Sequence, residues 1–339
     1  MEEQNLKAMN PRKHFEGVGG SYNKWYPSDY PLLAQSKVGA GMLLLHPRGF
    51  AIPHYSDASK VGYVLRGNNG VTGFIFPNTS NEEVIKLKKG DIIPVPTGVT
   101  SWWYNDGDSD LEIAFLGETK YAHVPGDISY YILSGPQGIL QGFSQDYVAK
   151  TFNLNEMDTS TLLNSQQNGM IFKLQEGQTL PTPTKDTKFV YNLDNYDFFM
   201  KVSESEFPFI GETGLAVVVE RLGPNVVRSP VLLVSPADQL IYVARGSGTV
   251  QIVGLSSSSK IELHVESGQL IFVPKYFAAG KIAAEQGMEF FSILTAKLGL
   301  VGELKGKTSV MEALSAEVIE VSFNITAEFE KVLRSNITN

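Results

Sequence analysis

The chain has 339 residues, no cysteine and a formal net charge of −8 at pH 7. Without thiols there are no disulfides, zinc–thiolate sites, iron–sulfur clusters or cysteine nucleophiles, and the acidic balance argues against a nucleic-acid surface, which needs clustered lysine and arginine. The length accommodates two domains with their own cores, and an apolar fraction of 42% is that of a globular protein.

The opening MEEQNLKAMNPRKHFEG has no apolar run of the kind a signal peptide uses. No stretch approaches the roughly 18 uninterrupted apolar residues of a membrane helix. A cytosolic protein with no membrane partner is expected, in which the Asn-x-Ser/Thr sequons at Asn78, Asn324 and Asn336 carry little meaning. Gly17 to Ser21 is a glycine-rich entry, followed by Tyr22, Trp25 and Tyr26. From Pro31 to Leu116 short apolar runs such as SKVGYVLRG, VTGFIF, IIPVPTG and LEIAFLG alternate with turn residues. Strands of that length and spacing predict an all-β sandwich or barrel. Gly67-Asn68-Asn69-Gly70 is a hairpin signal, because Asn and Gly tolerate positive φ.

From Ser144 the spacing turns helical, with N-caps expected at Ser144 and near Asn155. A strand-like run, Gly169 to Leu174, and a Pro/Thr-rich linker, Leu180 to Lys185, lead into a second copy of the same plan. Phe50 to Gly67 returns as Asn225 to Gly246, and Tyr63-Val64-Leu65-Arg66-Gly67 as Tyr242-Val243-Ala244-Arg245-Gly246. Gly90-Asp91-Ile92-Ile93-Pro94-Val95-Pro96 returns as Gly268-Gln269-Leu270-Ile271-Phe272-Val273-Pro274. The helical text recurs from Leu314. The expected domains are 1–168 and 169–339, each a β-barrel followed by short C-terminal helices. Gly246-x-Gly248 lacks the following helix of a dinucleotide fingerprint and reads as a hairpin turn.

His54-Tyr55-Ser56, the Tyr63–Gly67 run, Gly90-Asp91 and the stretch Pro96 to Asn105 resemble the two motifs of cupins. The duplication and the text around Gly142-Phe143-Ser144 and Thr151-Phe152-Asn153 resemble the legumin-like (glutelin, 11S-globulin) bicupins of plants, in particular short cysteine-free members described as nutrient reservoirs. The resemblance implies two tandem jelly-roll barrels and helices that mediate trimer contacts. Asn168-Gly169 sits roughly where legumins are processed, and here it reads as a loop dipeptide.

Metal-binding cupins resemble His-x-His, then Glu, then a distant His. Here those slots hold His54, Ser56, Lys60 and Ser101 in the first copy and Leu232, Val234, Gln239 and Ala279 in the second. One imidazole, two hydroxyls and an ammonium make no shell for a divalent cation, so neither a metal nor another cofactor is expected. The second barrel should therefore be packed with apolar side chains alone.

The first copy keeps a polar set. His54, Lys60 and Ser101 are the candidate catalytic residues, with Tyr55, Ser56, Trp103 and Asn105 as substrate contacts; strand alternation puts Trp103 and Asn105 on the face of Ser101. Such groups beside an aromatic wall suit a small-molecule pocket. If it turns substrate over, the chemistry is metal-independent acid–base catalysis: an isomerase, cyclase or lyase step on a carbonyl compound of terpenoid-like or phenolic size. His54 has Asp57 nearby, but no Ser-His-Asp triad can be assigned. His14, His46, His123 and His264 are given structural roles. The alternative is a storage or structural globulin without catalysis.

Overall fold

The computed structural model describes residues 6–183, 188–255 and 261–337. They form two compact units, one spanning residues 9–217 and the other residues 218–337 together with 6–8.

In chain order the first unit carries β1 (Arg12–Gly17), β2 (Gly20–Lys24), α1 (Pro31–Ser36), β3 (Val38–Leu45), β4 (Gly49–Ser56), β5 (Ser59–Arg66) and β6 (Gly70–Ile75). It continues with β7 (Glu82–Leu87), β8 (Asp91–Val95), β9 (Thr100–Asn105), β10 (Leu111–Glu118) and β11 (Tyr130–Ile132). Then come α2 (Gln145–Phe152), α3 (Glu156–Asn164), β12 (Ile171–Lys173), β13 (Tyr191–Asn192) and β14 (Phe199–Val202).

Two antiparallel sheets result. One runs β1-β2-β3-β10-β5-β8-β13, the other β11-β4-β9-β6-β7 with β12 added on β4. Inward residues from both, among them Leu43, Ala51, Val64, Phe74, Ile93, Trp103, Ile113 and Phe115, close into one core, as facing sheets require. A smaller cluster, Val71, Val84, Trp102, Tyr104 and Leu174, forms from the alternate residues of the second sheet.

Two expectations change. The segment after residue 168 does not leave the first barrel: Ile171–Lys173 pairs with Gly49–Ala51 and Tyr191–Asn192 with Asp91–Ile92. The turn at Gly67–Gly70 makes no hairpin, because β5 bonds to β8 and β10 while β6 bonds to β7 and β9 in the other sheet. Of its four residues only Gly67 has positive φ, at 103°. Of the Pro/Thr-rich linker, residues 180–183 lack regular structure and Lys185 lies outside the described residues.

The second unit contains β15 (Ala216–Leu222), β16 (Val227–Leu233), β17 (Gln239–Val253), β18 (Ile261–Glu266), β19 (Leu270–Val273), β20 (Ala278–Leu294) and β21 (Val301–Glu303), then α4 (Val310–Ala313), α5 (Ala316–Phe323) and α6 (Ala327–Ile337). The duplication is register-true: Tyr63 faces Ile92 across β5–β8, and Tyr242 faces Leu270 across β17–β19. Gly246-x-Gly248 is no hairpin turn. It lies inside β17 where the β17–β20 register shifts, and with φ 77° at Gly246 the long strand turns a barrel corner. A Cβ at Gly246 would collide with the Gly287 carbonyl of β20.

The helices start where their caps require. Ser144, Asn155 and Ser315 accept hydrogen bonds from the backbone N–H groups of Tyr147, Asp158 and Val318. Among the described residues, no helix is long and apolar enough to cross a membrane.

Candidate functional site

The site lies between the two sheets of the first barrel. His54 sits on β4, opposite Ser101 of β9 and Ile132 of β11. The ladder shifts register between Ala51 and His54, where Pro53 has no N–H to donate. That shift lets the His54 Nδ1 reach the Ile52 carbonyl at 2.8 Å. A carbonyl only accepts, so Nδ1 carries the proton and Nε2 is left as a lone pair. Burial, then the Lys60 charge, lowers the His54 pKa to about 4, so the imidazole is neutral at pH 7. His54 is half-buried and lines the cavity described below.

Lys60 projects from β5 between Val95 and Gly117. The glycine is required: a Cβ at position 117 would stand 2.9 Å from that of Lys60. Lys60 is 2% exposed. Its Nζ donates to the Ser56 Oγ at 2.9 Å, and that hydroxyl passes its own proton to the Ala58 carbonyl at 3.0 Å. The amine lies 4.7 Å from the Tyr130 ring centroid and 5.7 Å from that of Phe115, within cation–π range. No ion pair to Lys60 is present among the described residues. Asp57, whose charge favours the ammonium, spends its oxygens on the N–H groups of His123 and Ser129. Desolvation therefore wins and lowers Lys60 to about 7.

Both side chains open on a small cavity, about 50 Å³ as the space open to the centre of a water-sized sphere, whose walls are otherwise mainly apolar: Leu43, Ala51, Trp103, Phe115, Ile132, Met170 and Ile171, with Tyr22, Tyr130 and His14. The Tyr22 and Tyr130 hydroxyls bond each other, their rings 5.3 Å apart at 87°. Burial raises both phenols, which stay protonated. The His54 ring meets Tyr130 edge-on at 5.3 Å. His14, given a structural role from the sequence, lines this cavity and also holds the Tyr26 hydroxyl at 2.8 Å.

The other expected contacts fall elsewhere. Tyr55, one residue from His54, faces the opposite way and stacks on Tyr131 at 4.8 Å. Asn105 is buried at the far end of β9: its Nδ2 donates to the Leu45 and Ser109 carbonyls and its Oδ1 accepts from the Gly107 N–H, so its amide is used up by backbone. The Ser101 hydroxyl, 1% exposed, accepts from the Trp103 indole at 3.3 Å. Ser56 serves through Lys60. His46 pairs with Asp110 at 2.9 Å, while His123 and His264 are exposed.

Tyr22, Tyr130, His14 and Met170 are the cavity residues that motif comparison misses. They arrive on or beside β1, β2, β11 and β12, outside the repeated motif segments. The remaining sign was alternation in Ser129-Tyr130-Tyr131-Ile132.

The donor set does not fit a metal. The His54 Nδ1 is committed to backbone, the ammonium of Lys60 repels a cation, and neither Ser56 nor Ser101 replaces an imidazole. Among the described residues no cluster of three His, Asp or Glu side chains stands together.

The second barrel is not purely apolar. Glu220, Arg228 and Lys281 are buried there at 2%, 7% and 2% exposure. The Lys281 Nζ bonds one Glu220 oxygen, the Arg228 Nε lies 3.4 Å from the other, and Arg228 also reaches Glu303. Of the slot residues, Ala279 is buried, Val234 is half exposed, and Gln239 donates to the Ser292 hydroxyl at 2.9 Å.

The cupin family model matches residues 6–160 and 194–331. Glutelin type-A 2 of Oryza sativa subsp. japonica is 20% identical over 98% of this chain and 85% of its own length; the 11S globulin seed storage protein Ana o 2.0101 of Anacardium occidentale is 22% identical over 98% and 90%. Among solved structures, an 11S globulin from Wrightia tinctoria with an auxin binding site superposes with a TM-score of 0.89 at 22% identity, covering 100% of this chain and 96% of that one. A vicilin from Solanum melongena, with different anionic ligands in structurally similar pockets, gives 0.85 at 17%, covering 100% and 98%. Two register-true barrels, each carrying its own run of C-terminal helices, are the architecture those likenesses share, and the chain belongs to the cupin family.

Proposed function

We propose that the first barrel binds a small, largely apolar molecule whose polar group meets Lys60 and His54. One observation carries this reading: a lysine 2% exposed, without a carboxylate partner, faces an aromatic-walled cavity. An unbalanced buried amine is expensive to keep in a barrel that only packs, and the Glu220–Lys281 pair is how this same chain balances one elsewhere. Globulin-type relatives that hold auxin or anionic ligands support the idea that this architecture accommodates small molecules.

Turnover is the further step of the proposal. A metal-independent isomerase, cyclase or lyase would use Lys60 to polarise a carbonyl and His54 to accept a proton. A second reading, favoured by the curated relatives, is a nutrient reservoir without catalysis. Both place the protein in the cytosol as a trimer built through its helices.

Thermal-shift screening of aldehydes, phenols, aromatic acids and terpenoid ketones tests the binding reading, with His54→Ala as comparison. Stabilisation by one class, lost or weakened in the variant, supports it. A flat panel, together with accumulation as a bulk component of storage tissue, supports the reservoir.

A further inference from the structure

The polar atoms that line the cavity of the first barrel are few, and their hydrogen bonds leave little choice of ligand. Ser56 offers the amine of Lys60 a lone pair rather than a charge, since the hydroxyl proton is held by the Ala58 carbonyl. The one N–H of the His54 ring is taken by the Ile52 carbonyl. Tyr22 and Tyr130 bond to each other, which uses one of their two O–H protons. A ligand carboxylate entering here would meet one amine, the single phenol O–H left over from the Tyr22–Tyr130 pair, the His14 ring, a histidine lone pair and aromatic faces, a sparse set of donors to replace its water. An uncharged carbonyl pays no such desolvation cost, and it meets a nucleophile.

We propose that Lys60 captures a small apolar aldehyde as a reversible imine in the first barrel, with His54 as the proton carrier. This rests on the reading that the cavity holds a ligand. The Nζ lone pair attacks the carbonyl carbon, forming the C–N bond as the C=O π pair moves to oxygen. His54 Nε2 takes the proton released by nitrogen and returns it to that oxygen, giving the carbinolamine. The nitrogen lone pair then expels the hydroxyl, which leaves with a second nitrogen-derived proton as water, and C=N remains. One aldehyde and one amine give one imine and one water, and no oxidant or reductant is consumed. With its pKa lowered to about 7, about half of Lys60 is free amine at pH 7. An exposed lysine is deprotonated roughly a thousandfold less.

The test treats the full-length protein at pH 7 with limiting trans-cinnamaldehyde and sodium cyanoborohydride, which fixes an imine as a secondary amine, and maps the adduct by peptide mass spectrometry. Calorimetric titrations with cinnamyl alcohol and with cinnamate run beside it. The expected result is one adduct per chain on Lys60, forming roughly a hundredfold or more faster than on any exposed lysine, with cinnamyl alcohol binding in the same cavity. Lys60→Met should lose the adduct and keep the alcohol; if that variant does not fold, the wild-type map decides alone. Alcohol binding without a Lys60 adduct, or adducts spread evenly over surface lysines, overturns the imine and leaves the pocket standing. Cinnamate displacing the alcohol, with no adduct, replaces the imine by an anion site. No binding of either compound and no adduct overturns the pocket reading as well.

Discussion

Lys60 and Lys281 are both 2% exposed, and their surroundings differ in one respect: Lys281 touches the Glu220 carboxylate, whereas Lys60 has a serine hydroxyl and two aromatic rings. The cost of leaving Lys60 unbalanced should be visible as a pH dependence. Its folded pKa, about 7, lies below the unfolded value, so between the two the unfolded chain binds more protons and stability rises with pH. Urea unfolding from pH 7 to 9.5 should show wild type gaining on Lys60→Met by up to about 1.4 kcal/mol per pH unit; a constant difference would show that Lys60 is not held near neutrality. Above that window the raised phenols of Tyr22 and Tyr130 act in the opposite sense. His54, lowered to about 4, has the same sign as Lys60, with stability falling as pH drops from 6.5 toward 4. A second residue test concerns Gly41, where a Cβ would fall on the Tyr22 hydroxyl. Gly41→Ala should push Tyr22 away from Tyr130 at a cost of about 1–3 kcal/mol, measured as a lowered unfolding midpoint together with weakened ligand binding. Of the site itself, His54, Lys60 and Trp103 were legible because motif slots and strand alternation fix their positions. Asn105 was misread because alternation gives a face but not whether the strand end has backbone groups to serve. Tyr55 was misread because neighbours on a strand point apart.

At the level of elements, strands and helix starts followed from short apolar runs and from Ser144, Asn155 and Ser315. Pairing did not. Gly67 and Gly246 both look like hairpin turns in sequence, yet one carries the chain between sheets and the other bends a single strand, because long-range partners decide what a positive φ is used for. The Glu220–Lys281–Arg228 network was equally hidden: Glu220 and Arg228 stand eight residues apart on β15 and β16, but Lys281 comes from β20, 61 residues beyond Glu220. Removing its shared carboxylate by Glu220→Gln should cost about 3–5 kcal/mol, whereas breaking the exposed Lys13–Glu16 pair should cost less than about 1 kcal/mol. Equal costs in denaturant unfolding would mean that the buried network is solvated. The helices make a further prediction. Phe152 on α2 and Val321 on α5 are 50% and 83% exposed, on elements expected to mediate self-association. Light scattering should find a species about three times the 37.2 kDa chain, reduced by Phe152→Glu or Val321→Glu. A monomer in wild type, or an unchanged mass in both variants, would remove the trimer from the account.

Across the whole molecule, one architecture is used twice with different interiors. The second barrel balances its buried lysine with a carboxylate, while the first leaves one exposed to a cavity among Trp103, Phe115 and Tyr130. The duplication was readable because both copies keep the same register. The boundary at 168/169 was not, since a later segment returns to pair with β4. The central claim is that the first barrel holds a small apolar ligand, and Ala51, buried on the cavity wall, allows it to be closed without touching Lys60 or His54. The direct measurement is calorimetric titration of cinnamyl alcohol into wild type and into folded Ala51→Leu. Saturable binding of one molecule per chain by wild type, weakened at least about tenfold (about 1.4 kcal/mol) by the added side-chain bulk, is the predicted result. No heat of binding in wild type, or the same affinity in both proteins, would contradict it.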